Sequence, residues 1–283
     1  MTLAEAISEL LAEDRLGEAV NRTSERVRAV PSDSSARGLL IDLLVLDRDY
    51  ERADKQCSLA AKLSSEDAVG FSRLRSELRG LEAREAFFES GAVPSFPGLP
   101  SECDSAALRL SVAEREGNRE EATAALATLE EARGQRPFLI NGNAAEDWRD
   151  LDDRIPHVLE AITSSGAYLW VDYARIASVT FSSSKRPRDL ALRPARLELL
   201  DGSVGEVLVP ALYPGAAASE AMKLGRETIW EETASGITIG RGQRCFLAGE
   251  ALAAIHDVAA IENAAVAETA PQQAMQAEVA DGD

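Results

Sequence analysis

The chain has 283 residues, 45% hydrophobic, 28% charged and 5% aromatic, enough for one large domain or two ordinary ones around an apolar core. Residues 1–135 carry 26 acids and 17 bases and residues 136–283 carry 22 and 13, so each half holds -9 of the formal -18. With no basic half to neutralise a phosphate backbone or an anionic lipid surface, nucleic acid and membrane are excluded as principal partners.

Residues 1–135 are expected to be helical throughout. Leu3, Ile7, Leu10 and Leu11, then Leu16, Ala19, Val20, Thr23 and Val27, recur at three- and four-residue spacing, as on amphipathic helices. Pro31 interrupts the pattern, and Ser32-Asp33-Ser34-Ser35 offers capping side chains for a helix bearing Leu39, Leu40, Leu43, Leu44 and Leu46. After Asp47-Arg48-Asp49 a further helix carries Tyr50, Ala53, Cys57, Ala60, Ala61 and Leu63.

Leu16 and Tyr50 stand 34 residues apart, as do Ala19 and Ala53, Thr23 and Cys57, and Val27 and Ala61. That period, with a small residue where paired helices press together, predicts tetratricopeptide-like repeats. A looser third copy runs from Glu116-Gly117-Asn118 through Ala122, Leu126 and Leu129. Between the copies, Val69–Phe88 is predicted as a long helix, residues 91–100 as a loop because three prolines fall within seven residues, and Ser105–Arg115 as helix.

Beyond Gly134-Gln135-Arg136-Pro137 the pattern changes, and residues 136–262 are expected to form a smaller mixed α/β domain with mostly antiparallel strands. The reading is a helix over Ala144–Ser164, then strands at 168–173, 176–181, 195–200 and 204–209, with shorter ones at 237–239 and 244–247. Asp201-Gly202 predicts a hairpin turn. The Ala-, Gln- and Glu-rich residues 263–283 have no apolar stripe and are expected to be a disordered tail. The fold class is therefore α+β.

Little in the chain points to catalysis. Cys57, Cys103 and Cys245 are far apart and form no CxxC pair, so neither a disulfide framework nor a zinc site is expected. The first residues show no basic stretch followed by an apolar one, and no apolar run approaches the roughly 20 residues that span a bilayer, so a cytoplasmic location is expected. His157 and His256 are the two histidines, and no GxSxG elbow accompanies them. The run Glu146–Arg154 supplies Asp150, Asp152 and Asp153, which with His157 make the one conceivable enzymatic or metal cluster. A solvated helix face, with Arg149 and Arg154 as counter-charge and Trp148 as anchor, is the reading preferred. Lys185-Arg186-Pro187-Arg188, with Arg193 and Arg196, is the one basic concentration and reads as a surface loop. Gly236–Gly242 lacks the order and the lysine of a phosphate loop and reads as turn glycines between short strands.

The second half nevertheless carries an ordered series of short motifs. Asp150-x-Asp152-x-Arg154 with Pro156 and Leu159-Glu160, Tyr168-x-Trp170-Val171, Arg188-Asp189-Leu190 with Pro194-Ala195, Asp201-Gly202-x-x-Gly205-x-Val207, Pro210-x-x-Tyr213-Pro214-Gly215 and Gly242-Gln243-Arg244 follow one another. Together they resemble the ImpE family, also called TagJ, of accessory proteins of bacterial type VI secretion. Arg193 stands where the family often has tryptophan, and the segment after His256 lacks the usual basic ending. The resemblance implies a cytoplasmic, non-enzymatic adaptor without a cofactor. Its implied partner is the N-terminal helix of the small subunit of the contractile sheath, with an indirect link to the AAA+ unfoldase that recycles the sheath. Outside the resemblance, a general helical-repeat scaffold or chaperone is the alternative. In such repeats the first helix of each pair lines the groove, which nominates Ala4, Ser8, Leu11, Asp42 and Val45 as partner-binding residues.

Overall fold

Local chemistry fixes the helix starts. Thr2 opens α1 (Leu3–Ala12) with a capping box: its hydroxyl accepts the Glu5 N–H, and the Glu5 carboxylate accepts the Thr2 N–H at 2.7 Å. Following α2 (Leu16–Ala29), the side chains of Asp33 and Asp49 cap α3 (Ser34–Leu46) and α4 (Tyr50–Leu63). The long α5 (Ala68–Ser90) stops at Gly91, whose φ of 80° is the left-handed conformation that closes many helices. Ser101 and Asn118 then cap α6 (Glu102–Arg115) and α7 (Arg119–Arg133). The computed structural model describes residues 2–64 and 66–267.

Helices α2 and α4 begin 34 residues apart. Ala19, Thr23, Ala53 and Cys57 are all fully buried, so the same small positions of both copies lie where consecutive helices press together. A tetratricopeptide-like helical region is therefore followed by antiparallel sheet.

From Pro137 the chain is built of strands. They are β1 (Phe138–Ile140), β2 (Asn143–Ala145), β3 (Trp148–Asp150), β4 (Val158–Thr163), β5 (Tyr168–Asp172), β6 (Ile176–Phe181), β7 (Leu192–Leu199) and β8 (Val204–Pro210). A four-residue helix α8 (Glu220–Lys223) precedes β9 (Thr228–Glu232), β10 (Thr238–Gly242), β11 (Cys245–Ala248), β12 (Ala251–Ala254) and β13 (Ala260–Asn263). Eight of them form one sheet in the order β2-β1-β13-β6-β7-β8-β4-β5, with every ladder antiparallel. β12-β11-β3 form a second sheet and β10-β9 a hairpin. The loop after α5 covers the β5 edge, where the Ser95 N–H donates to Tyr168 O and Ser95 O accepts from Trp170 N, both at 2.9 Å.

The expected helix over Ala144–Ser164 does not exist. That stretch is the end of β2, then β3, a tight turn and β4, because its carboxylates bind backbone rather than water. Asp150 accepts the Asp152 N–H, Asp152 accepts the Arg154 N–H, and Asp153 accepts the Thr238 N–H. Trp148 is fully buried on β3, stacked on Phe246 at 4.5 Å between centroids. Asn263, where a tail was expected to begin, is the last residue of β13 and pairs with Phe138. Residues 268–283 of that tail lie outside the described residues.

One apolar cluster runs from Ile7, Leu44, Leu78 and Phe87 in the helices to Ile155, Ile162, Trp170, Leu192 and Ile239 in the sheet half. A second, around Phe138, Trp148, Tyr173, Val179 and Phe246, lies within the sheet half alone. Two glycines set the close approach of α5 to the β4–β5 turn. A Cβ on Gly80 would meet Ile162 Cγ2 at 2.6 Å, and one on Gly166, whose φ is 89°, would meet Ser76 O at 2.2 Å. Among the described residues no helix is long and apolar enough to cross a membrane.

Candidate binding trough at the helix–sheet junction

The acidic cluster supplies a mortar between the halves. Arg84 of α5 grips Glu160 of β4 with two hydrogen bonds, 2.7 and 2.9 Å, and also donates to Leu212 O. Arg244 reaches Asp150 at 2.6 Å and Glu160 at 3.1 Å, and the Tyr168 hydroxyl donates to Glu160 at 2.6 Å. Burial alone would raise Glu160, but Arg84 and then Arg244 outweigh it and hold its carboxyl at about 2. Asp150 goes the other way, pushed up to about 6 by burial against the pull of Arg244. Asp152 is clasped by Arg154, and His157 Nε2 lies 3.2 Å from Asp104 of α6. Asp150, Asp152, Glu160 and His157 are all essentially without solvent exposure. These groups do not form a solvated helix face: Arg244 and Arg154 engage Asp150 and Asp152, Asp104 faces His157, and the half-buried Asp153 accepts the Thr238 N–H.

Besides an open cleft of about 760 Å³ bordered by Asp47, Tyr50, Glu89 and Lys223, a trough runs along α3, meeting the sheet half beside α5 and reaching α1 at its other end. It is made of three clefts that share lining residues, of about 540, 480 and 440 Å³. The first lies between the start of α5 (Glu66, Asp67, Gly70, Phe71, Leu74) and the sheet half (Arg186, Arg188, Pro194, Leu208). The second shares Phe71, Leu74 and both arginines with it and continues along α3 past Gly38 and Leu39. The third shares Ser35 and Leu39 and reaches Leu3 and Ala4 of α1. Leu39, Phe71, Pro194 and Leu208 are only partly buried, so the floor is apolar and still reachable.

The 3-10 turn Pro187–Leu190 closes one side of the trough. Asp189 is buried there and accepts the N–H groups of Lys185 and Arg186, which fixes the turn. Arg188 lies 3.3 Å from Asp42 of α3, whose carboxyl burial pushes up to about 6 even though Arg188 and Arg186 draw it down. The basic run is thus partly a surface loop and partly an anchor onto the helices. Arg193 departs from that reading: it is buried, donates to Val258 O at 2.7 Å and lies 4.3 Å above the Phe181 ring.

The nominated partner-binding residues are not brought to one surface. Ala4 is exposed and borders the trough, and Asp42 lies at its floor beneath Arg188. Ser8 and Leu11 lie on α1 outside the three clefts. Val45 is 1% exposed, packed into the core next to Ala191 and Leu212. The sheet half thus covers the side of α3 that an isolated repeat would present. Periodicity alone could not place Phe71, Pro194 or Arg186 in the trough; the legible signal was Gly38, a glycine inside α3 just before its Leu39-Leu40-Ile41 run.

Fold and trough together define a class: a tetratricopeptide-like helical array closed on one side by an antiparallel sheet, with an open apolar trough along the seam. The ImpE protein family model matches residues 142–262. The type VI secretion system accessory component TagJ of Pseudomonas aeruginosa is 30% identical over 261 residues, 91% of this chain and 90% of that protein. The crystal structure of protein VPA1032 from Vibrio parahaemolyticus superposes with a TM-score of 0.84 at 30% identity, covering 91% of this chain and 97% of that one. The chain belongs to the ImpE (TagJ) family.

Proposed function

We propose that the protein is a non-enzymatic accessory component of type VI secretion that works in the cytoplasm by holding a single amphipathic helix in the trough. The helix is the N-terminal one of the small contractile-sheath subunit, and holding it assists sheath assembly or recycling, with the AAA+ unfoldase linked only indirectly. Family membership supports the secretion role, and one observation carries the mode of action: an open, partly apolar trough bordered by Leu3, Leu39, Phe71 and Leu208. An α-helix with its side chains is about 10–12 Å across, and laying an apolar stripe into such a groove is a common way to recognise it. Both halves contribute walls, so residues 1–135 and 136–262 act as one binding unit in this reading.

Calorimetric titration of the full-length protein with the N-terminal helix peptide of the cognate small sheath subunit tests it. Saturable one-to-one binding is expected. No heat with the peptide, and no co-purification of the intact subunit, would overturn the assignment.

A further inference from the structure

The two walls of the trough carry opposite charges, and beyond the Arg188–Asp42 pair those at its mouth do not meet. On the α5 side stand Glu66 and Asp67, both exposed. Asp67 occupies the position before α5 but caps nothing; its Oδ2 accepts the Ser64 hydroxyl instead. On the sheet side stands the exposed Arg186. The other charges lining this cleft have partners: Arg73 pairs with Glu77, Arg188 with Asp42, and Asp189 holds two backbone N–H groups. Among the described residues Glu66, Asp67 and Arg186 form no ion pair, although they border one cleft. Unpaired charges of opposite sign bordering one apolar-floored cleft suit something lying between them.

Two glycines on the helical side leave room for it. Gly38, five residues into α3, and Gly70, in the first turn of α5, both line the clefts. A Cβ at either would touch nothing within 4 Å, so the packing of this chain does not call for glycine at these positions. Glycine is a poor helix former, and a backbone bare of side chains lets another backbone approach closely.

Resting on the reading above, we propose that the bound helix crosses α3 at Gly38 in a fixed rotational setting. Its apolar stripe lies on Leu39, Phe71 and Leu74. The edge facing Arg186 carries acidic side chains, and the edge facing Glu66 and Asp67 carries basic ones. The occupant is thus an amphipathic helix of split charge, not merely an apolar one. Charge complementarity of this kind sets register and discriminates against wrong partners more than it adds raw affinity.

The test uses full-length protein and the sheath-subunit helix peptide, with wild type, Gly38→Leu, Arg186→Glu and the triple variant Arg186→Glu/Glu66→Lys/Asp67→Lys. Thermal unfolding checks each fold first; Gly38→Leu should melt no lower than wild type, since leucine favours helix and meets open space. Gly38→Leu is expected to weaken binding at least about tenfold, as filling a close contact does. Arg186→Glu should weaken it about fivefold at low salt, with a smaller loss at high salt. The triple variant should bind the native peptide poorly and regain affinity for a peptide whose acidic and basic edge residues are exchanged. If wild type binds but every variant stays within about twofold of it, the placement is overturned while the partner stands. If wild type does not bind the peptide, the partner reading fails and this inference fails with it.

Discussion

Glu160 is the residue on which most of the buried charge converges. Arg84 from α5 and Arg244 from the approach to β11 both reach its carboxylate, and all three side chains are shut away from water. Removing one partner of such a group leaves the others buried and under-compensated, a loss of roughly 3–5 kcal/mol. Glu160→Gln should therefore lower urea stability by about that amount at pH 7. The acid limb should change as well. With its folded pKa held at about 2, Glu160 contributes stability that is complete above its unfolded value near 4.5 and is lost as pH falls from there toward 2. Asp150, raised to about 6, acts in the opposite sense and favours the folded state as pH drops from 7 toward 4. Wild type should thus hold or gain stability down to about pH 5 and then lose it, whereas the glutamine variant should lack the Glu160 part of the low-pH loss. A variant with wild-type stability and an unchanged acid limb would show that the Arg84–Glu160 clasp contributes nothing.

At the scale of elements the 34-residue period makes its own prediction. Ala19 and Ala53 are each 0% exposed at matched positions of α2 and α4, whereas Ala61, matched to Val27, is only partly buried. Overfilling a close-packed contact costs about 1–3 kcal/mol. Ala19→Leu and Ala53→Leu should each lose that much in thermal or urea unfolding, and Ala61→Leu less than about 1 kcal/mol; equal losses at all three would contradict the repeat register. This regularity was visible in the sequence because helix-on-helix packing writes its period directly into small and apolar residues. The strands at 168–173, 176–181 and 204–209 and the Asp201-Gly202 turn were visible for a similar reason, alternation and turn chemistry being local. The stretch 144–164 was not. Its Asp, Glu and Arg side chains look like a solvated helix face to any count of polarity, but their partners, Thr238, Gly240, Arg84 and Arg244, come from 76 to 94 residues away. The trough stayed hidden for the same reason: one wall is α5 and the other is a loop about 120 residues later in the chain.

For the whole molecule the decisive fact is that the two halves share a core. Phe87 of α5 packs edge-on against Trp170 of β5 at 4.7 Å, Gly80 and Gly166 admit the β4–β5 turn against α5, and Arg84 crosses the seam to Glu160. At the far end Glu220 of α8 accepts the Gly17 N–H, and Lys223 reaches Asp47 at 2.7 Å. Cutting at residue 135 would expose Leu74, Leu78, Leu81 and Phe87 on one side and Ile155, Ile162 and Trp170 on the other, and would strip Arg84 of its Glu160 partner. Separate domains joined by a linker would melt independently, whereas a shared core couples them. We expect one unfolding transition by calorimetry, with the calorimetric and van't Hoff enthalpies equal. The fragment 1–135 alone should keep helical circular dichroism but bind a hydrophobic dye and melt without cooperativity. It should also bind the helix peptide far more weakly than the full chain, since Arg186, Pro194 and Leu208 are missing from its trough. Two resolved transitions, or a fragment 1–135 that melts sharply and binds at full strength, would assign the trough to the helices alone.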